Sequence, residues 1–172
     1  MPTNVEVKAR VRDMACLRAR AVALSGGPGR EMQQEDTFFR IPRGRLKLRE
    51  QSPGQPELIF YEREDARAPK PSRYLLAGVS EPAALRAVLS AALGLHGVVR
   101  KRRTLYRIGQ TRLHLDEVEG LGSFLELEVV LAEGQDVAQG RAIADGLMGQ
   151  MGIAAPDLVS CAYVDLLTQP PG

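Results

Sequence analysis

Apolar and polar positions alternate strictly over residues 4–11, with Val5, Val7, Ala9 and Val11 on one face and Asn4, Glu6, Lys8 and Arg10 on the other. A period of two marks a half-buried strand. The period then lengthens. Asp13 can cap a helix running to about Leu24, with Leu17, Ala21 and Leu24 at helical spacing, and Gly26-Gly27-Pro28-Gly29 ends it. Strands are predicted at 33–41, 45–51 and 57–65, broken by Pro42-Arg43-Gly44 and Ser52-Pro53-Gly54, and together they read as an antiparallel meander. A proline-marked connection over 66–71 leads to a strand at 72–79 and a helix from Ser80-Glu81-Pro82 to about Leu93. Three more strands follow at 98–108, 111–119 and 123–131, and the remainder reads as helix over 136–151 and again over 156–167. Eight strands and a few helices make an α+β protein dominated by antiparallel sheet. Residues 1–168 are expected to form one domain, and 169–172 a disordered tail.

The polar faces of these strands are unusually ionic. The first carries Glu6, Lys8 and Arg10; later ones carry Lys47 and Arg49, then Tyr61 and Arg63, then Lys101 and Arg103, then Arg112, His114 and Asp116, then Glu126 and Glu128. For one strand, charge of this kind is ordinary solvated surface. Six strands sharing the habit point instead to a sheet closed into a barrel, its ionic faces turned inward and its apolar faces covered by helices. The interior would be a basic channel with a local carboxylate cluster. Arg forks and Lys ammoniums suit a ligand with many phosphate oxygens, while the carboxylates suit Mg²⁺ or Mn²⁺, hard cations that bridge to phosphate. The same residues could alternatively pair with one another as structural salt bridges.

Composition narrows the picture further. The chain has 172 residues, 44% hydrophobic and 26% charged, which fits a single core. No run approaches the ~18 apolar residues of a membrane span, and the first residues show no basic stretch leading into an apolar one, so a cytoplasmic protein without a membrane partner is expected. Cys16 and Cys161 form no CxxC or Cys/His spacing and read as free thiols. The net charge is only +2, yet 19 of the 23 basic residues are arginine. A nucleic-acid partner is not expected, because no RNP-like aromatic pair or helix-turn-helix pattern accompanies them and only four Phe and four Tyr are available for stacking.

Five ordered blocks resemble the CYTH superfamily of triphosphate tunnel metalloenzymes, which includes class IV adenylyl cyclases and thiamine triphosphatases. They are Asn4-Val5-Glu6-Val7-Lys8, Asp36-Thr37-Phe38-Phe39, Leu46-Lys47-Leu48-Arg49-Glu50, Tyr61-Glu62-Arg63, and the run from His114 to Glu128; a closing Ala162-Tyr163-Val164-Asp165-Leu166-Leu167 is also similar to the family's last helix. The resemblance implies an eight-stranded antiparallel closed β-barrel with flanking helices, holding a triphosphate and a divalent metal. It implies metal ligands at Glu6, Asp116, Glu126 and Glu128. It implies phosphate-binding cations at Lys8, Lys47, Arg49, Lys101 and Arg103, with Arg63 added; Arg10, Arg112 and Tyr61 join the expected substrate contacts. Asn4 stands where the family's motif has a first glutamate, and Tyr61 where many members carry a lysine.

The expected chemistry is metal-dependent hydrolysis of the terminal phosphate of an inorganic, nucleoside or thiamine triphosphate, with Glu6, Lys8, Glu126, Glu128 and His114 as catalytic candidates. His114 is read either as a general base or as a residue orienting Asp116. The alternatives are cyclisation of ATP to cyclic AMP and pyrophosphate, and a triphosphate-binding protein without turnover. Either a monomer or a homodimer is compatible with the sequence.

Overall fold

The strand residues fold as their alternation requires, with apolar side chains outward against helices and polar ones inward. The computed structural model describes residues 1–170, so the last two residues of the expected tail, 171–172, lie outside the described residues. Eight long strands are β1 (Thr3–Arg10), β2 (Arg30–Phe39), β3 (Arg45–Ser52), β4 (Glu57–Arg63), β5 (Lys70–Gly78), β6 (Leu95–Ile108), β7 (Thr111–Val118) and β8 (Gly122–Val130). Their order is β5-β4-β3-β2-β6-β7-β8-β1, every neighbouring pair is antiparallel, and β1 pairs back onto β5 to close the barrel. Four helices flank it: α1 (Met14–Ser25), α2 (Pro82–Leu93), α3 (Val137–Met151) and α4 (Tyr163–Thr168). None of them is long and apolar enough to cross a membrane.

The hydrophobic core lies outside the barrel wall. Val5, Val7, Leu113, Leu115, Leu125, Leu127 and Val129 pack against Leu17 and Ala21 of α1 and Ala144, Leu147 and Met151 of α3. Asp13 caps α1 by accepting from the Cys16 amide at 3.0 Å, as its position predicts, and Gly26 ends the helix with φ 77°. α3 approaches β1 so closely at Gly140 that a Cβ there would lie 2.7 Å from Val5 Cγ2 and 2.6 Å from Leu131 Cδ2.

The predicted helix over 156–167 divides. A 3₁₀ turn at Ala155–Asp157 leads into a two-residue strand, β9 (Leu158–Val159), and only Tyr163–Thr168 is helical. The cause is an unfilled edge: β5 pairs with β1 only over Thr3–Glu6, and β9 takes the next stretch of that edge, opposite Lys8 and Ala9. Bare backbone donors and acceptors there are better satisfied by an extended segment than by a helix.

α4 then caps one end of the barrel. Inward-facing Phe38, Val99, Val118 and Phe124 form an apolar layer that meets Ala162, Tyr163 and Val164. α4 thereby covers the barrel end that this layer lines.

Candidate functional site

Inward side chains of the strands enclose a cavity of about 370 Å³. Eight Lys or Arg and five Asp or Glu line it, an excess of positive charge suited to a polyanion.

One wall is cationic and organised around Asp36, which is 1% exposed. Its carboxylate accepts from Lys47 Nζ (2.9 Å), Arg49 Nε and Nη2 (2.7 Å each) and Lys101 Nζ (3.1 Å). Burial alone would push the Asp36 carboxyl up; Arg49, Lys101 and Lys47 together hold it well below the usual range. Lys101 moves the other way, down to about 7, because burial and the neighbouring Arg49, Arg103 and Lys47 outweigh Asp36. Deeper in, Arg103 forks onto Asp116 with two bonds of 2.7 Å and reaches Glu126 at 3.4 Å. The Tyr163 hydroxyl from α4 donates to Asp116 at 2.7 Å.

The second wall is acidic and comes from β1 and β8. Glu6 stands directly opposite Glu128, and Lys8 opposite Glu126. Arg63 Nη1 donates to Glu6 at 3.0 Å and Arg112 Nε to Glu128 at 2.9 Å. Burial first, and then the Glu128 charge, push Glu6 up to about 7 even with Arg63 beside it. Glu126 goes well below its ordinary value; burial opposes the shift, and Lys8 and Arg103 overcome it. The Lys8 ammonium lies 3.8 Å from the centre of the Tyr163 ring and 3.4 Å from the Cys161 carbonyl oxygen, and burial lowers it to about 8.

Most of the residues singled out in the sequence meet here: Glu6, Lys8, Lys47, Arg49, Tyr61, Arg63, Lys101, Arg103, Arg112, His114, Glu126 and Glu128 all line the cavity. Two do not. Arg10 shares the inward face of β1 but is its last residue, opposite Phe124, and its exposed guanidinium lies 5.1 Å from that ring, beyond the apolar layer. Alternation assigns a face and leaves the height along the barrel open. Asp116 is buried behind Arg103, its two oxygens already accepting from Arg103 and Tyr163. That arrangement makes it a positioner of Arg103. His114 is pushed down to about 4 by burial and by Arg103, so its ring is neutral at pH 7. Its Nδ1 has no hydrogen-bond partner and lies 3.8 Å from Glu128, so Arg103 and Tyr163, not His114, orient Asp116. Asp36 escaped the list of site residues, although its signal was present: Gln34, Asp36 and Phe38 alternate on one face of β2.

The CYTH domain family model matches residues 2–163. The chain belongs to the CYTH family. No curated protein matches the sequence. Among solved structures, this CYTH domain is similar to the PH1012 protein of Pyrococcus horikoshii OT3, with 25% identity and a TM-score of 0.83, covering 95% of this chain and 98% of that one. A conserved hypothetical protein from Pyrococcus furiosus is 19% identical with a TM-score of 0.83, covering 95% and 99%. A candidate adenylate cyclase from Vibrio parahaemolyticus is 19% identical with a TM-score of 0.78, covering 98% and 99%. The last two likenesses show the fold.

The CYTH barrel's acidic wall has a donor set that fits a hard divalent cation. Glu6, Glu126 and Glu128 offer oxygen ligands only, and the buried Oδ1 of Asn4, on the face of Glu6, has no hydrogen-bond partner. Glu6, held near 7 by burial and then by the Glu128 charge, is a carboxyl that a cation would relieve. Among the described residues no three His, Cys, Asp or Glu side chains gather around one point, since Arg63 and Arg112 each draw one carboxylate aside.

Proposed function

We propose that this CYTH domain binds a triphosphate together with Mg²⁺ or Mn²⁺ and hydrolyses it at the terminal phosphate. The observation that carries this reading is the division of one cavity into a cationic wall around Asp36 and an acidic wall at Glu6, Glu126 and Glu128. A phosphate chain satisfies the first and a divalent cation the second, and the two ligands neutralise each other.

Lys47, Arg49 and Lys101 would exchange Asp36 for phosphate oxygens, and Arg103, held flat by Asp116, presents its remaining N–H groups to the same chain. Glu6, Glu126 and Glu128, with the Asn4 amide oxygen, would hold the cation. When bound, a cation there neutralises charge on the phosphate oxygens and lowers the pKa of water. With Glu6 and Glu128 engaged in that role, Arg63 and Arg112 would be released from them and could turn to phosphate. Lys8, near 8, stays mostly charged at neutral pH and faces Glu126 across the strands. His114 is already neutral and contributes no charge.

The test is incubation with ATP, thiamine triphosphate and tripolyphosphate, each with Mg²⁺ or Mn²⁺, resolving phosphate, pyrophosphate and cyclic nucleotide. Release of phosphate supports hydrolysis. Cyclic AMP with pyrophosphate would replace it by the cyclase reaction, and binding without turnover would leave a triphosphate-binding protein. Glu126→Gln and Glu128→Gln should each abolish metal-dependent turnover with an unchanged circular dichroism spectrum; wild-type activity in both would refute the metal assignment.

A further inference from the structure

Beyond the phosphate-binding cations, the chamber carries two amides that the triphosphate reading leaves unused. Gln34 of β2 faces Gln51 of β3 and Lys101 of β6 in the strand register, two residues from Asp36 on the same face. Met32 and Gln51, both half-buried, lie toward the mouth, with Leu105 and Ile59 also on the wall.

The orientation of the Gln34 amide is set by a chain of hydrogen bonds. Gln51 Nε2 donates to the Gln55 carbonyl at 3.2 Å, which leaves Gln51 Oε1 as an acceptor; Gln34 Nε2 donates to it at 2.9 Å and lies 3.3 Å from Met32 Sδ. Gln34 Oε1 is thereby left as an acceptor on a residue that lines the chamber. Among the described residues it has no partner, although Gln34 is only 5% exposed. A buried acceptor without a donor is costly and marks a place where a ligand group completes the set.

Phosphate cannot be that group, because its ionised oxygens are themselves acceptors and would repel the amide oxygen. The missing partner is an N–H or O–H beyond the phosphates. The apolar surfaces of Met32, Leu105 and Ile59 alongside favour a flat ring over a hydrated sugar. We infer that Gln34 reads a hydrogen-bond donor on the organic end of the substrate, an exocyclic amine on a nucleobase, and so selects aminated nucleoside triphosphates over their carbonyl analogues and over inorganic tripolyphosphate. The inference rests on the triphosphate reading above and names the substrate class for the same chamber.

The test measures dissociation constants by calorimetry in EDTA, where no metal-dependent turnover interferes, for ATP, ITP, 2′-deoxy-ATP and tripolyphosphate. ITP carries a carbonyl where ATP carries the amine, and 2′-deoxy-ATP lacks one ribose hydroxyl. The wild-type protein should bind ATP about tenfold more tightly than ITP, the scale of one buried acceptor left unpaired. Gln34→Met, close in volume, should bring that ratio to about one. Gln51→Leu keeps Gln34 but releases its amide, which can then turn Nε2 toward the inosine carbonyl, so the ratio should narrow there too; a purely structural Gln34 would not produce this. ATP and ITP binding equally while 2′-deoxy-ATP binds more weakly, with that difference abolished by Gln34→Met, overturns the nucleobase assignment, because the donor then belongs to the ribose. Equal affinities for all three nucleotides, or a preference untouched by both variants, overturns the inference while the triphosphate reading stands. Failure of every ligand to bind, tripolyphosphate included, removes the triphosphate reading and this inference with it.

Discussion

Replacing Asp36 by asparagine separates the two jobs of the cationic wall, holding the barrel together and receiving an anion. Asp36 takes four hydrogen bonds of 2.7–3.1 Å from Lys47, Arg49 and Lys101 at a site 1% exposed. Asp36→Asn preserves shape but removes the one negative charge that, among the described residues, is bonded to buried Lys101 and part-buried Lys47 and Arg49, and turns an NH₂ toward them. Breaking a buried ion pair from one side costs about 3–5 kcal/mol. For a domain of this size each kcal/mol lowers the melting temperature by about 2–4 °C, so a fall of roughly 6–20 °C is expected. The low end applies above pH 7, where Lys101, already near 7, sheds its proton and relieves part of the repulsion. Tripolyphosphate should reverse the loss. In the wild type the ligand must displace Asp36, whereas in Asp36→Asn it meets three uncompensated cations, so the ligand-induced rise in melting temperature should be larger in the variant. Scanning fluorimetry with and without tripolyphosphate, free of metal, measures both. A fall below about 2 °C, or a ligand shift no larger than in the wild type, would show that the cations of this wall are not waiting for an anion.

Affinity for Mn²⁺ should depend on pH with a defined sign. Glu6, raised to about 7, carries a proton below that pH which the cation must displace, so affinity should rise with pH up to about 7 and then level off; calorimetric titrations at pH 6, 7 and 8 that agree with one another would refute it. Asn4→Glu restores a carboxylate beside the unpartnered Asn4 position and should enlarge the Mn²⁺-induced rise in melting temperature; an unchanged rise removes Asn4 from the cation site. Tyr163→Phe deletes the hydrogen bond to Asp116 but keeps the ring under Lys8, and should cost about 1 kcal/mol in urea unfolding with the slope unchanged. Gly140→Ala forces a methyl to within 2.7 Å of Val5 and Leu131 and should destabilise by about 1–3 kcal/mol despite alanine's better helix propensity; a neutral result would mean that α3 shifts freely on β1.

What was legible in advance follows from how local each signal is. The faces of β1, β7 and β8 could be read because alternation is a property of consecutive residues, and Glu6, Glu126, Glu128, Lys101 and Arg103 stand on the inward face as expected. The helix ends at Asp13 and Gly26 are equally local. Residues 158–162 misread as helix because their conformation answers to the free edge of β1, more than 145 positions away in the chain. The family resemblance implies Asp116 as a metal ligand, and its bonds to Arg103 and Tyr163 come from a strand and a helix that its own segment does not encode. The orientation of Gln34 depends in the same way on Gln51 and Gln55 from another strand and its turn.

By itself, then, the sequence determined which side chains face inward, that the inward set is ionic, and that its charges divide into many cations and a few carboxylates. The period of two follows from backbone geometry that each strand carries alone. The tertiary structure decided height, closure and partners. Register across eight strands places Arg10 beyond the apolar layer and Glu6 opposite Glu128, and the docking of α4 covers one end of the barrel. Those outcomes depend on hydrogen bonds and packing between segments remote in sequence, which no local pattern encodes.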